Sequence, residues 1–126
     1  HRDYLQRYGT PRRPEDLLQH ALIGNDRQDD IVRGLAAAGH AVTPSHFGLR
    51  TDDLMAYEAL VRAGAGIGFL ARYVARRSPE LVPVLPSLPT PSLPMWLVAH
   101  RELRSNPGIR AVWEQLAQAL PAELGG

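Results

Sequence analysis

The chain of 126 residues carries 14 basic and 13 acidic side chains, a formal net charge of +1, with 44% hydrophobic and 21% charged residues. Every basic residue is arginine and cysteine is absent, which excludes a disulfide framework, a thiolate metal site and a cysteine nucleophile or redox motif. The small charge offers little of the field that nucleic-acid binding draws on, and the composition is that of one globular domain, not a disordered chain.

At this length a domain buries roughly two-thirds of the surface its unfolded chain exposes. The longest apolar stretches, such as Ile67 to Ala71, fall far short of the ~20 residues a membrane-spanning helix needs. The N-terminus has no apolar signal core. Because the chain begins at His1 and not at methionine, it is expected to be a fragment or a processed chain.

Asp3 to Tyr8 reads as a short helix, with Asp3 as its cap and Gly9 closing it. Pro14-Glu15-Asp16 starts a second short helix, with proline at the first helical position, acids at the positive end of the dipole and His20 in its last turn. Ala21 to Gly24 is a buried strand. The polar loop that follows feeds a helix whose apolar stripe is Ile31, Leu35 and Ala38, with Gly39 as its stop. Phe47 to Arg50 alternates as a strand does. Thr51-Asp52-Asp53 caps the next helix, on which Leu54, Tyr57 and Val61 share a face and which Gly64 ends.

Ile67 to Ala71 reads as another buried strand, and Arg72 to Arg77 as a short helix. Six prolines in the sixteen residues from Pro79 to Pro94 forbid a helix or central strand, leaving Leu81 to Leu85 as an edge strand. Met95 to Ala99 reads as a strand. Asn106-Pro107 opens the last helix, with Ile109, Trp113, Leu116 and Leu120 as its stripe and Pro121 as its end. Strands alternating with helices favour an α/β layer structure with a largely parallel sheet.

Gly64-Ala65-Gly66-Ile67-Gly68 is short of the dinucleotide fingerprint, because Phe69 occupies the place of its last glycine. The run also leaves a helix and enters a strand, the reverse of a phosphate cradle. Close backbone packing explains it better. Thr51, Asp52 and Asp53 suit a helix start, and their loop lies where open α/β sheets bind ligands. Asp26, Asp29 and Asp30 form an acidic cluster without the glycine and terminal glutamate of a calcium loop. Arg27 has two readings: it holds a carboxylate bidentately, or it is an exposed arginine paired with Asp29 or Asp30. No HExxH pairing, GxSxG elbow or groove-tracking basic stripe occurs, and Ser45 beside His46 is not a nucleophile–base pair.

Four stretches together resemble one family. "RDYLQRYGTPRRPEDLLQHALIGNDR" is similar to the segment that follows the first hinge strand in the effector-binding domain of LysR-type transcriptional regulators. "LRTDDLMAYEALVRAGAGIGFLARYVARR" resembles the next strand–helix–glycine–strand block. "LVPVLP" and "LPMWLVAHRELRSNPGIRAVWEQLAQAL" resemble the return strand and last helix. The resemblance covers nearly the whole chain in the family's order.

It implies an α/β fold, a lobe like that of type 2 periplasmic binding proteins with a mostly parallel sheet, plus the return hinge strand and C-terminal helix of the other lobe. Residues 1–96 would be the second lobe of the effector-binding domain. Residues 97–126 would be the return strand and the helix that packs on the first lobe, so Trp113, Leu116 and Leu120 would face a partner this chain does not supply. The first lobe and the helix-turn-helix DNA-binding domain would lie before His1.

The implied function is sensing of a small-molecule effector, often a carboxylate, with no enzyme activity, no cofactor, no metal and no membrane contact. DNA would be bound only through the missing domain, in a bacterial, cytoplasmic homo-oligomer, dimer or tetramer. By position, Asn25, Asp26, Arg27, Thr51 and Asp52 match places where the lobe faces the effector, and Gly66 and Gly68 match the family's glycine motif, taken as mostly structural. A solute-binding protein of the same fold is the alternative. A small hydrolase or transferase would need a catalytic set that the sequence does not offer.

Overall fold

Leu22 and Ile23 are completely buried, and as neighbours on a strand their side chains point to opposite sides. Each therefore seeds its own half of the core. The computed structural model describes residues 1–27, 30–37, 39–90 and 94–124. The chain divides into two units, His1–Pro91 and Ser92–Gly126.

In the first unit β1 (Leu22–Gly24) pairs in parallel with β2 (Phe47–Arg50). The register is Leu22 with Phe47, Ile23 with Leu49 and Gly24 with Arg50, with an irregularity after Leu22. On its other side β1 meets Ile67 in a single parallel bridge, closed by the Ile23 N–H to Ile67 carbonyl bond at 2.9 Å and the Ile67 N–H to Ala21 carbonyl bond at 2.8 Å. The expected parallel sheet is present but small. Ile67 to Ala71 contributes this bridge, not a strand, and Leu81 to Leu85 forms no strand.

The Leu22 side gathers Tyr4, Leu17, Leu35, Val42, Phe47 and Ile67. These come from α1 (Arg2–Tyr8), the 3₁₀ turn Pro14–Gln19, α2 (Asp30–Ala37), the loop after α2, the two strands and the Ile67 bridge. The Ile23 side packs against Tyr57 and Val61 of α3 (Leu54–Arg62). Both faces of β1 are thus covered, as parallel strands require. Leu54 departs from the expected face. It is 76% exposed, in the first turn of α3.

Local signals account for most helix ends. α1 is capped by His1, whose Nδ1 accepts the Asp3 N–H at 3.2 Å, so Asp3 is inside the helix and not its cap. Gly9, Gly39 and Gly64 take positive φ angles of 85°, 86° and 69° after α1, α2 and α3, the left-handed turn that glycine alone adopts freely. The Pro14 helix is a 3₁₀ turn, and His20 is its C-cap, one residue beyond the expected last turn. α4 (Arg72–Arg76) follows the Ile67 bridge. Ala38, expected on the stripe of α2, lies outside the described residues.

In the second unit Met95 to Ala99 is not a strand. The segment has no ladder partner among the described residues, and Trp96 and Val98 are exposed. A 3₁₀ turn, Arg101–Ser105, leads into α5 (Pro107–Leu124). Asn106 Oδ1 caps α5 by accepting the N–H groups of Gly108 at 3.0 Å and Ile109 at 3.3 Å. Pro121 does not end α5, which runs three residues further. The ring removes one backbone donor, and a helix in its last turn survives that loss.

Candidate functional site

Parallel strands deliver their following loops to the same edge, and in open α/β sheets that carboxyl edge is where ligands bind. β1 and β2 end side by side at Gly24 and Arg50. The Thr51 N–H extends the pairing by donating to the Gly24 carbonyl at 3.0 Å. The β1–α2 loop and the β2–α3 loop therefore start as neighbours.

Asp52 ties the two loops together. Its Oδ1 accepts the backbone N–H of Asp26 at 2.9 Å and that of Arg27 at 2.8 Å. Its Oδ2 lies 3.7 Å from Arg27 Nε. In the opposite sense Arg50, the last residue of β2, reaches back to Asp26 Oδ1 at 3.2 Å. Each strand with its following loop thus supplies one acid and the partner of the other's acid. The amide hydrogen bond from Arg27, then the one from Asp26 and the Arg27 charge, hold the Asp52 carboxyl below the usual carboxylate range. A carboxylate accepting two N–H groups and facing a cation remains charged at neutral pH.

Capping of α3 falls to Asp53, not Thr51. Asp53 Oδ1 accepts the N–H groups of Met55 at 2.8 Å and Ala56 at 3.0 Å. The Thr51 hydroxyl accepts only the Asp53 N–H, at 3.2 Å, in a turn that leads into the helix. The sequence Thr51-Asp52-Asp53 therefore divides three tasks: turn, loop tie and cap.

Of the candidate residues, the edge brings together Asp26, Arg27, Thr51 and Asp52, with Asn25 half-buried beside them. The two glycines sit elsewhere. A Cβ on Gly66 would collide with the Ala21 carbonyl oxygen at the start of β1, and one on Gly68 would stand 2.5 Å from Val61 Cγ2. Both positions admit only a backbone at close range. Of the two partners weighed for Arg27, Asp29 and the side chain of Asp30 lie outside the described residues; the structure pairs it with Asp52. Its side chain is 88% exposed, which leaves its remaining donors open to a solute.

Two contributors escaped the sequence reading. Arg50 sits at the strand end, and the Gly24–Arg50 register places it beside the β1–α2 loop. Tyr57 was expected as core, yet its hydroxyl also donates to the Ile23 carbonyl and accepts the Phe69 N–H, both at 2.9 Å. A tyrosine where an aliphatic residue would fill the same helix face was the available signal, since a buried phenol finds a partner.

Among the described residues no group of three or more His, Asp or Glu side chains could hold a metal ion, and no described helix is long and apolar enough to cross a membrane. Ser45 does not bond His46 directly; the Thr43 hydroxyl stands between them, 2.8 Å from Ser45 Oγ and 2.9 Å from His46 Nδ1. What the edge offers is an exposed guanidinium on a loop held by backbone hydrogen bonds, a group suited to receiving an anion.

Residues 1–121 match the family model described as LysR substrate binding domain. No curated protein and no solved structure matches the chain.

Proposed function

The chain belongs to the LysR substrate binding domain family, and on that premise we propose that it senses a small anionic effector, a carboxylate, for a LysR-type transcriptional regulator. The family is a ligand-binding domain of regulators and not an enzyme family. That membership is the observation that carries the proposal, and the Arg27 guanidinium at the carboxyl edge of a parallel sheet supports the choice of an anion. In this reading Asn25, Asp26, Arg27, Thr51 and Asp52 face the effector, while Gly66 and Gly68 shape the backbone beneath.

Residues 1–96 act as the effector-binding lobe, and residues 97–126 as the return segment and helix belonging to its companion. An effector that binds one arrangement of the lobes more tightly than another shifts the population between them. A homo-oligomer then passes that shift to a helix-turn-helix domain, and the coupling is reciprocal, so DNA binding alters effector affinity by the same factor. The protein works in the cytoplasm, where metabolite and operator meet.

The test is a panel of carboxylate metabolites scored by thermal shift on the regulator that carries this domain, followed by calorimetry on Arg27→Ala. A charged hydrogen bond lost from the site weakens the responding carboxylate by about 1.5–3 kcal/mol. An unchanged affinity removes Arg27 from the site, and a panel in which only cations or neutral compounds respond overturns the anionic reading.

A further inference from the structure

We infer that Asp52 is a positioning residue with two opposed effects on anion binding: one carboxylate oxygen builds the loop that presents Arg27, and the other competes with the anion for Arg27. The inference rests on the anionic reading of this edge and deepens it. Its ground is the division of contacts between the two oxygens of one side chain.

Oδ1 is committed to the backbone. It accepts the N–H groups of Asp26 and Arg27 at 2.9 and 2.8 Å, and these two successive amides fix the direction in which the β1–α2 loop leaves the sheet. Without that acceptor the loop loses its tie to β2, and the Arg27 side chain loses a defined origin. Oδ2 makes no such backbone bond among those described; it stands 3.7 Å from Arg27 Nε. The same edge on the guanidinium is one of those a carboxylate ligand uses for a bidentate grip.

An incoming anion that takes this edge therefore displaces Oδ2 while leaving Oδ1 in place. Because Arg27 is largely exposed, the competition is modest, up to about a fivefold change in affinity. Arg50 does not relieve the competition, since its own guanidinium is turned to Asp26 at 3.2 Å. Among the described residues the two ion pairs comprise two acids and two arginines, and Asp52 is the member that both orders and opposes.

Asparagine separates the two effects, because its amide oxygen can still accept both N–H groups while its NH₂ offers Arg27 no charge. The experiment compares wild type, Asp52→Asn and Asp52→Ala in the full chain. Hydrogen exchange at the Asp26 and Arg27 amides reads the loop tie. The Arg27 Nε–H resonance, titrated with sodium acetate at ionic strength held constant by chloride, reads the anion.

The inference predicts that Asp52→Asn keeps both amides protected and tightens acetate by up to about fivefold, whereas Asp52→Ala speeds exchange at both amides and weakens acetate. Unchanged exchange in Asp52→Ala overturns the tie. Asp52→Asn weakening acetate as much as Asp52→Ala overturns the competition. Acetate that moves Arg27 in none of the three proteins overturns the anionic reading and the competition with it, while the exchange rates still decide the tie.

Discussion

The Tyr57 hydroxyl accepts the backbone N–H of Phe69 at 2.9 Å while it donates to the Ile23 carbonyl at the same distance. One phenol thus joins α3, the central strand and the segment after the glycine run. Removing it leaves two backbone groups near the Ile23 side of the core without partners, and an unsatisfied buried group costs about 1–3 kcal/mol. Tyr57→Phe is expected to lower the unfolding free energy by about 2 kcal/mol, read from the urea midpoint with an unchanged slope.

Burial also raises the Tyr57 phenol above its ordinary range, with the Phe69 amide pulling weakly the other way. The folded state therefore keeps its proton to higher pH than the unfolded chain does. The resulting stability is complete below the unfolded value of ~10 and is lost as pH rises through the raised one. Wild type should lose more stability than Tyr57→Phe between pH 9 and 11, and parallel alkaline limbs in the two proteins would contradict this.

The glycines differ in what they permit. At Gly66 a Cβ meets the Ala21 backbone carbonyl, which cannot rotate away, and at Gly68 it meets Val61 and the Tyr57 hydroxyl at 2.5 and 3.1 Å. Overpacking of this kind costs about 1–3 kcal/mol. Gly48 has open space, so Gly48→Ala is expected within about 0.5 kcal/mol of wild type. Thermal denaturation of Gly66→Ala, Gly68→Ala and Gly48→Ala checks the ranking.

Helix capping separates two neighbouring residues. Asp53 accepts two N–H groups at the start of α3, whereas Thr51 accepts one in the preceding turn. Loss of an N-cap costs about 1 kcal/mol. Asp53→Ala should therefore destabilise clearly more than Thr51→Ala, measured side by side in urea.

Where local chemistry decides, the chain was readable. Gly9, Gly39 and Gly64 stop helices because only a residue without Cβ turns left-handed easily, and Asn106 caps α5 through its own side chain. Where a distant partner decides, it was not. Apolar content at Met95 to Ala99 signals β propensity, but a strand exists only with a ladder partner. Pro121 signals an end, yet near a terminus it removes only one bond.

The candidate site divides in the same way. The family resemblance groups Asp26, Arg27, Thr51 and Asp52, and the loops after β1 and β2 bring them to one edge. The partition of tasks among Thr51, Asp52 and Asp53 depends on angles between loops that no spacing encodes. Arg50 and the Tyr57 hydroxyl became visible only once the β1–β2 register and the depth of α3 were fixed.

In the proposed function an anion binds at the carboxyl edge of β1 and β2. Amide chemical-shift mapping of the full chain during titration with the carboxylate that responds in the thermal-shift panel tests it most directly. The largest shifts should fall at Asp26, Arg27, Thr51 and Asp52 and should shrink in Arg27→Ala at the same ligand concentration. Shifts centred elsewhere, with this edge unmoved, would contradict it.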